Sequence, residues 1–258
     1  FWQDLGMTDS DWVEVTFLWM GEQAPAAVTL PPLPAGYEDI PTIPFGRRPP
    51  LDPVQPRSGW MYVPETKHNV APPLADYWFA HGGWRTIGLP ISEVFREVTA
   101  DGHARIVQYF ERQILELHVD DGGAASAASA LIGYAAAAPA AARAPVTPFA
   151  DGADHRYFPE TGHALSNGFK AHWEQHGGLE AFGYPLTEEF LAVTPDGRPY
   201  VAQVFERARF EWWPDKVGTD EDITYGLLVV ELLRQAGWVP ESTRHKCGLP
   251  ATVCHRSR

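Results

Sequence analysis

Cysteine is nearly absent from this chain, with Cys247 and Cys254 the only two among 258 residues. Two thiols cannot complete a zinc site by themselves. They stand seven positions apart, and a single disulfide between them is the expectation, with unrelated thiols or half of a zinc site as the alternatives. Closing so short a loop would stabilise by roughly 2–3 kcal/mol in the loop-entropy picture. It would also suit an extracellular or cell-surface location, where disulfides persist. Positive charge is scarce too. Lys and Arg number 20 against 33 Asp and Glu, giving a net charge of −13 and a pI near 5.1. Phosphate backbones would be repelled, so nucleic acid is excluded as a partner, and an anionic membrane surface is disfavoured. No apolar run approaches the ~20 residues that span a bilayer, so membrane insertion is not expected. Leu227–Leu233 is too short for that and reads as a core element.

The signatures of common catalysts are missing as well. There is no G-x-S-x-G elbow, no G-x-x-x-x-G-K-[ST] loop, no G-x-G-x-x-G and no H-E-x-x-H. No cofactor and no metal is therefore expected. The many acidic residues offer numerous pairs for glycosidase chemistry, and such abundance singles out none of them. The chain begins at Phe1, which reads as a processed or truncated product.

What the sequence has is repetition and tryptophan. Tyr62–His118 recurs 95 positions later as Tyr157–Trp213 without a gap, with 22 of 57 aligned positions identical. One supersecondary recipe is used twice, which usually serves binding or assembly. Residues 1–22 form an N-terminal strand segment, where Val13, Val15, Phe17 and Trp19 alternate with Glu14, Thr16 and Leu18 at a period of two. Residues 23–58 are an extended proline-rich arm that favours polyproline II, cannot supply a central strand and has no apolar periodicity for a core. Repeat domain 1 spans 59–135, an Ala/Pro-rich linker 136–152, repeat domain 2 153–240 and a tail 241–258. The wider stretch Gly122–Pro145, rich in Ala, suits a weak helix or a linker.

Each repeat reads as an α+β unit, a short helix plus antiparallel hairpins. Leu74 and Trp78, matched by Phe169 and Trp173, make the inward i, i+4 stripe of a helix. Pro72-Pro73 opens the first helix and Ser166 or Asn167 caps the second. His81-Gly-Gly83 and His176-Gly-Gly178 end them with left-handed glycine. Strands follow around Phe95–Val98 and Phe190–Val193, each closed by Asp-Gly, a strong hairpin signal.

The run Tyr-Phe-Pro-Glu-Thr-Gly-His at 157–163, with His176-Gly-Gly178, Phe182-Gly-Tyr-Pro185 and Val204-Phe-Glu-Arg-Ala-Arg-Phe-Glu211, resembles a repeat of secreted Chloroflexota-type bacterial proteins. It is loosely similar to the LGFP repeats of actinobacterial cell-wall proteins, which implies attachment to envelope polysaccharide. The first copy departs from that pattern, with Lys67 in place of the glycine of ETGH and Ile87-Gly-Leu89 in place of Phe-Gly-Tyr.

Several residues are candidates for a site. Glu65 with His68, and Glu160 with His163, share the ETxH turn, as a paired acid and base, as a metal corner or, more simply, as a structural turn. His172 and His176 sit at i, i+4, but position 172 is Tyr77 in the first copy. Glu111-Arg112 and Glu206-Arg207 read as strand residues pointing to opposite faces, so that one of each dipeptide would be half-buried and paired elsewhere in the unit. Trp212 and Trp213 are adjacent and cannot both be buried on one face, which makes them candidates for contact with a sugar or a partner. The reading is a non-catalytic extracellular or cell-surface assembly protein, acting through its repeats and its N-terminal arm by self-association or on other surface proteins. An envelope polysaccharide-binding module is the alternative, and an unrecognised envelope hydrolase a second.

Overall fold

The computed structural model describes residues 33–99, 101–120 and 122–239. The Val13–Met20 segment with its alternating Val13, Val15, Phe17 and Trp19, and both Cys247 and Cys254, lie outside these residues. The fold is α+β. The described chain forms two compact units, which divide at 130/131 and again at 228/229 rather than at the repeat boundaries read from composition. The second unit is 131–228. The first unit comprises the described residues before 131 together with residues 229–239.

In the first unit a hairpin of β2 (Met61–Val63) and β3 (His68–Val70) leads into helix α1 (Pro72–Ala80) and the single turn α2 (Gly83–Thr86). Pro at the first positions of α1 suits a turn whose amides have no intrahelical acceptor. Gly82, at φ 85°, ends the helix in the left-handed region that side chains avoid. Then come β4 (Phe95–Val98), β5 (Ala104–Tyr109), β6 (Ile114–Val119) and β7 (Ala125–Ser129). These four run antiparallel, and β1 (Thr42–Ile43) from the arm joins β4 in parallel, giving the order β1-β4-β5-β6-β7. Leu74 and Trp78 of α1 pack with Ile106, Leu115 and Leu117 on one face of this sheet. Phe95, Val107, Tyr109 and Ile114, which alternate onto the other face, are buried as well.

The second unit repeats the recipe. The hairpin of β8 (His155–Phe158) and β9 (His163–Ser166) leads to helices α4 (Asn167–Gln175) and α5 (Gly178–Phe182), after the short α3 (Ala140–Arg143). A sheet follows in the order β10 (Phe190–Val193), β11 (Pro199–Val204), β12 (Arg209–Trp212) and β13 (Ile223–Tyr225). Its core joins Phe169 and Trp173 to Phe182, Phe205 and Phe210. Trp78 and Trp173 are both buried, and their indole Nε1 groups donate to the Gly88 and Gly183 carbonyls at 2.7 and 3.1 Å.

Three expectations change. The Ala-rich stretch is neither helix nor linker at its start, because Ala125–Ser129 pairs with β6 as β7. Ala125 and Ala127 pack against the core that holds Leu74 and Trp78 of α1. The arm does enter a core: Tyr37 and Ile40 are buried, and Tyr37 packs on Trp60 at a ring separation of 5.2 Å. Its strand β1 sits at a sheet edge, where neighbouring prolines are tolerated. Ser166 occupies the cap position of α4, yet its side chain makes no capping bond.

Each unit is completed by a segment that follows a repeat sheet. After β7, a 3-10 turn at Ile132–Ala135 enters the second unit, where the Gly133 N–H donates to the Glu206 carbonyl at 2.8 Å. A Cβ on Gly133 would stand 1.7 Å from the Phe205 carbonyl oxygen, so the approach requires glycine. Helix α6 (Leu228–Gln235) passes back into the first unit, where the Val230 N–H donates to Glu111, the counterpart of Glu206, at 3.3 Å. No helix among the described residues is long and apolar enough to cross a membrane.

Candidate functional site

The ETxH turns are the tips of the β2–β3 and β8–β9 hairpins. Lys67 (φ 60°) and Gly162 (φ 75°) occupy the same left-handed position, so the first copy keeps the turn with a residue that adopts it less readily. The turn separates the two candidate residues in each copy. Glu65 and Glu160 are exposed, whereas His68 and His163 are buried. The histidines face other acids: Nδ1 of His68 lies 3.1 Å from Glu93 Oε1, and Nδ1 of His163 lies 3.1 Å from Glu188 Oε1. The same carboxylate oxygens accept the next backbone amide, Asn69 N–H at 2.9 Å and Ala164 N–H at 3.0 Å. Gln108 and Gln203 complete the set, each donating to two backbone carbonyls at 2.7–2.8 Å. Glu160 accepts instead from the Tyr184 hydroxyl at 3.3 Å. This carboxylate–imidazole–amide cluster ties the hairpin to the start of the β4 or β10 strand, although the Oε1 atoms of Gln108 and Gln203 are buried there without a hydrogen-bond partner.

The Glu-Arg dipeptides are not strand residues. Glu111-Arg112 and Glu206-Arg207 lie in the bends between β5 and β6 and between β11 and β12, where strand alternation no longer applies. Glu and Arg therefore lie together, with N···O separations of 3.4 and 3.8 Å. Glu111 accepts the Leu89 N–H at 3.0 Å and Glu206 the Tyr184 N–H at 3.1 Å, which fixes the Gly-x-Pro turn above each bend. Burial pushes the Glu111 carboxyl above its ordinary pKa, against the pull of Arg112 and the Leu89 amide. Arg112 and Arg207 also donate to the carbonyls of Trp84 and Leu179, both at 3.3 Å. Those two side chains occupy matching positions and are exposed in both copies.

His172 and His176 stack with ring centroids 4.0 Å apart, just as Tyr77 and His81 stack in the first copy at 3.8 Å. His172 Nε2 lies 2.7 Å from the Tyr225 hydroxyl, and burial, helped by His176, lowers its pKa to about 4. Among the described residues no group of three or more His, Cys, Asp or Glu side chains is placed to hold a metal ion.

Trp212 and Trp213 diverge, as adjacent residues of an extended chain must. Trp212 packs at the margin of the core that holds Phe169 and Trp173. Trp213 turns to the opposite face and stacks on Tyr200, with centroids 4.7 Å apart and planes 23° from parallel. Its Nε1 donates to Thr224 Oγ1 at 2.8 Å, and the Arg198 guanidinium lies 4.8 Å from its ring. The pair is partly exposed and forms a flat aromatic surface with a cation beside it.

Two features had no signal in the repeat pattern. The first is a buried polar network in the first unit. Arg105 bonds Glu97 through Nε at 2.9 Å and also bonds Glu116, while the Tyr109 hydroxyl donates to Glu97. Burial, then Glu97, drives the Tyr109 phenol well above its ordinary pKa. The aligned residues of the second copy are Ala192, Tyr200, Val204 and Glu211, so only Glu116 has a like counterpart. Glu211 is bonded there by Arg209 at 2.6 Å. The second is the outer edge of β10. Among the described residues no strand pairs with it, whereas the matching edge of β4 carries β1.

Neither a family model, nor a curated protein, nor a solved structure matches this chain.

Proposed function

We propose that this chain is a non-catalytic assembly protein of the cell surface or extracellular space, joining copies of itself or other surface proteins. One observation carries the reading: four pairs of polar residues that recur in the two copies are spent on their own fold. His68 and His163, Glu93 and Glu188, Gln108 and Gln203, and Glu111 and Glu206 are each bonded within their repeat. Large apolar side chains are turned outward at Trp84 and Leu179, and at Leu191 and Val193. Outward apolar groups with inward-facing polar chemistry suit contact with another protein surface better than turnover of a substrate.

The test is the mass of the intact chain by light scattering across a wide concentration range. Reversible growth in mass with concentration is expected. A monomer at every concentration would overturn the assembly reading. A second reading, binding to envelope polysaccharide, is favoured by the stacked Tyr200–Trp213 surface, since flat aromatic faces complement the CH faces of sugar rings. It expects retention on purified cell wall that falls on Trp213→Ala.

A further inference from the structure

We propose that the outer edge of β10 receives the Val13–Met20 strand of a second copy of this chain. This rests on the assembly reading above and names the surface that would carry it.

The hydrogen-bonding state of the edge follows from its register. In the β10–β11 pair Val193 stands opposite Pro199, which has no N–H, and the Thr194 N–H bonds the Arg198 carbonyl at 2.9 Å. Bonded and non-bonded pairs alternate along an antiparallel ladder. Phe190, Ala192 and Thr194 are therefore bonded inward, and the N–H and C=O of Leu191 and Val193 point away from the sheet. Such a row of free backbone groups is a template for another strand.

The first copy shows the same edge in use. Its equivalent of Leu191 is Arg96, whose N–H donates to the Pro41 carbonyl at 2.8 Å as β1 runs parallel to β4. Further along, the Glu93 N–H donates to Pro50 at 3.1 Å. In the second copy only that last contact is reproduced, by the Glu188 N–H to Ala142 at 2.7 Å. The residues before Ala142 that would continue along the edge form the Ile132–Ala135 turn at Glu206 instead. The side chains have changed to match. The covered strand reads Phe-Arg-Glu-Val and the uncovered one Phe-Leu-Ala-Val, with Leu191 70% and Val193 59% exposed on one face. Charged residues guard natural edges against pairing, and β10 has none.

The occupant is argued from pattern and reach. The covered edge takes its strand from the N-terminal arm, and the alternating segment preceding that arm lies outside the described residues. Val13, Val15, Phe17 and Trp19 form an apolar row with no proline between residues 12 and 20, suited to lie beside Leu191 and Val193. Twelve residues separate Met20 from Leu33, the first described, and extended they reach up to about 40 Å, enough to leave their own molecule. Donor and acceptor are different surfaces, so the contact is head-to-tail and propagates into open chains unless the ends meet and close.

The experiment uses the full chain and two variants, Leu191→Lys on the acceptor and Phe17→Lys on the donor. Masses come from light scattering, and unchanged circular dichroism confirms that both variants fold. Each variant alone is expected to stay monomeric where the parent grows. An equimolar mixture is expected to form pairs and stop there, because each variant retains one working surface. If Phe17→Lys still assembles while Leu191→Lys does not, β10 pairs with something other than this strand and the proposal falls. If Leu191→Lys assembles like the parent, the edge is not the acceptor, and the proposal falls while the assembly reading stands. A parent that remains monomeric overturns both.

Discussion

At the scale of single residues, duplication tells core from ornament. Trp78 and Trp173 were legible as core from the i, i+4 stripe, and the glycines after each helix from the need for left-handed backbone. The acid that meets each buried histidine was not legible, because Glu93 and Glu188 lie 25 positions from their partners and only folding closes that gap. Their identity in both copies was the available signal. His172 carries a testable consequence. Its folded pKa, lowered to about 4 by burial and then by His176, lies below the 6.5 of a free imidazole. Between those values the unfolded chain binds a proton that the folded chain does not, so stability falls as pH drops through that window. His172→Tyr, which copies the first repeat, should flatten that part of the stability profile in denaturant titrations at stepped pH. An unchanged slope would mean that His172 titrates normally.

At the scale of elements, the two Asp-Gly hairpins and the helices were readable from turn chemistry and periodicity. The Glu-Arg bends and β7 were misread for related reasons. A Glu-Arg dipeptide flanked by aromatics resembles a strand until the bend is known, and an Ala-rich run carries no periodicity of either kind. The Arg105 network was hidden because it needs three strands in register: Glu97 stands opposite Arg105, while Val107 stands opposite Glu116. Arg105 lies between two largely buried carboxylates, with side-chain exposures of 8% for Glu97 and 18% for Glu116. Arg105→Met would leave Glu97 without a cation and Glu116 with only the His118 ring 3.7 Å away, and should destabilise the chain by about 3 kcal/mol, measured by chemical denaturation. Arg105→Lys should recover part of that loss, since it keeps the charge but not the forked geometry.

At the scale of the whole molecule, the repeat was read correctly as a duplication, but the sequence carried no sign that the compact units would differ from the repeats. Helix α6 follows the second repeat in the chain yet belongs to the first unit, with Val229, Leu232 and Leu233 buried. A chain ending at Leu228 should therefore lose amide protection in β4, β5 and β6 while β10, β11 and β12 keep theirs, as read by hydrogen exchange. Equal loss in both sheets would show that the units are not separable in stability. The same arrangement sets an order in time. As the polypeptide leaves the ribosome, residues up to 130 emerge first but must wait for those beyond 228 before their unit is complete. The later-made unit has all of its parts sooner, so the half of this protein that is translated second is the half that can finish folding first.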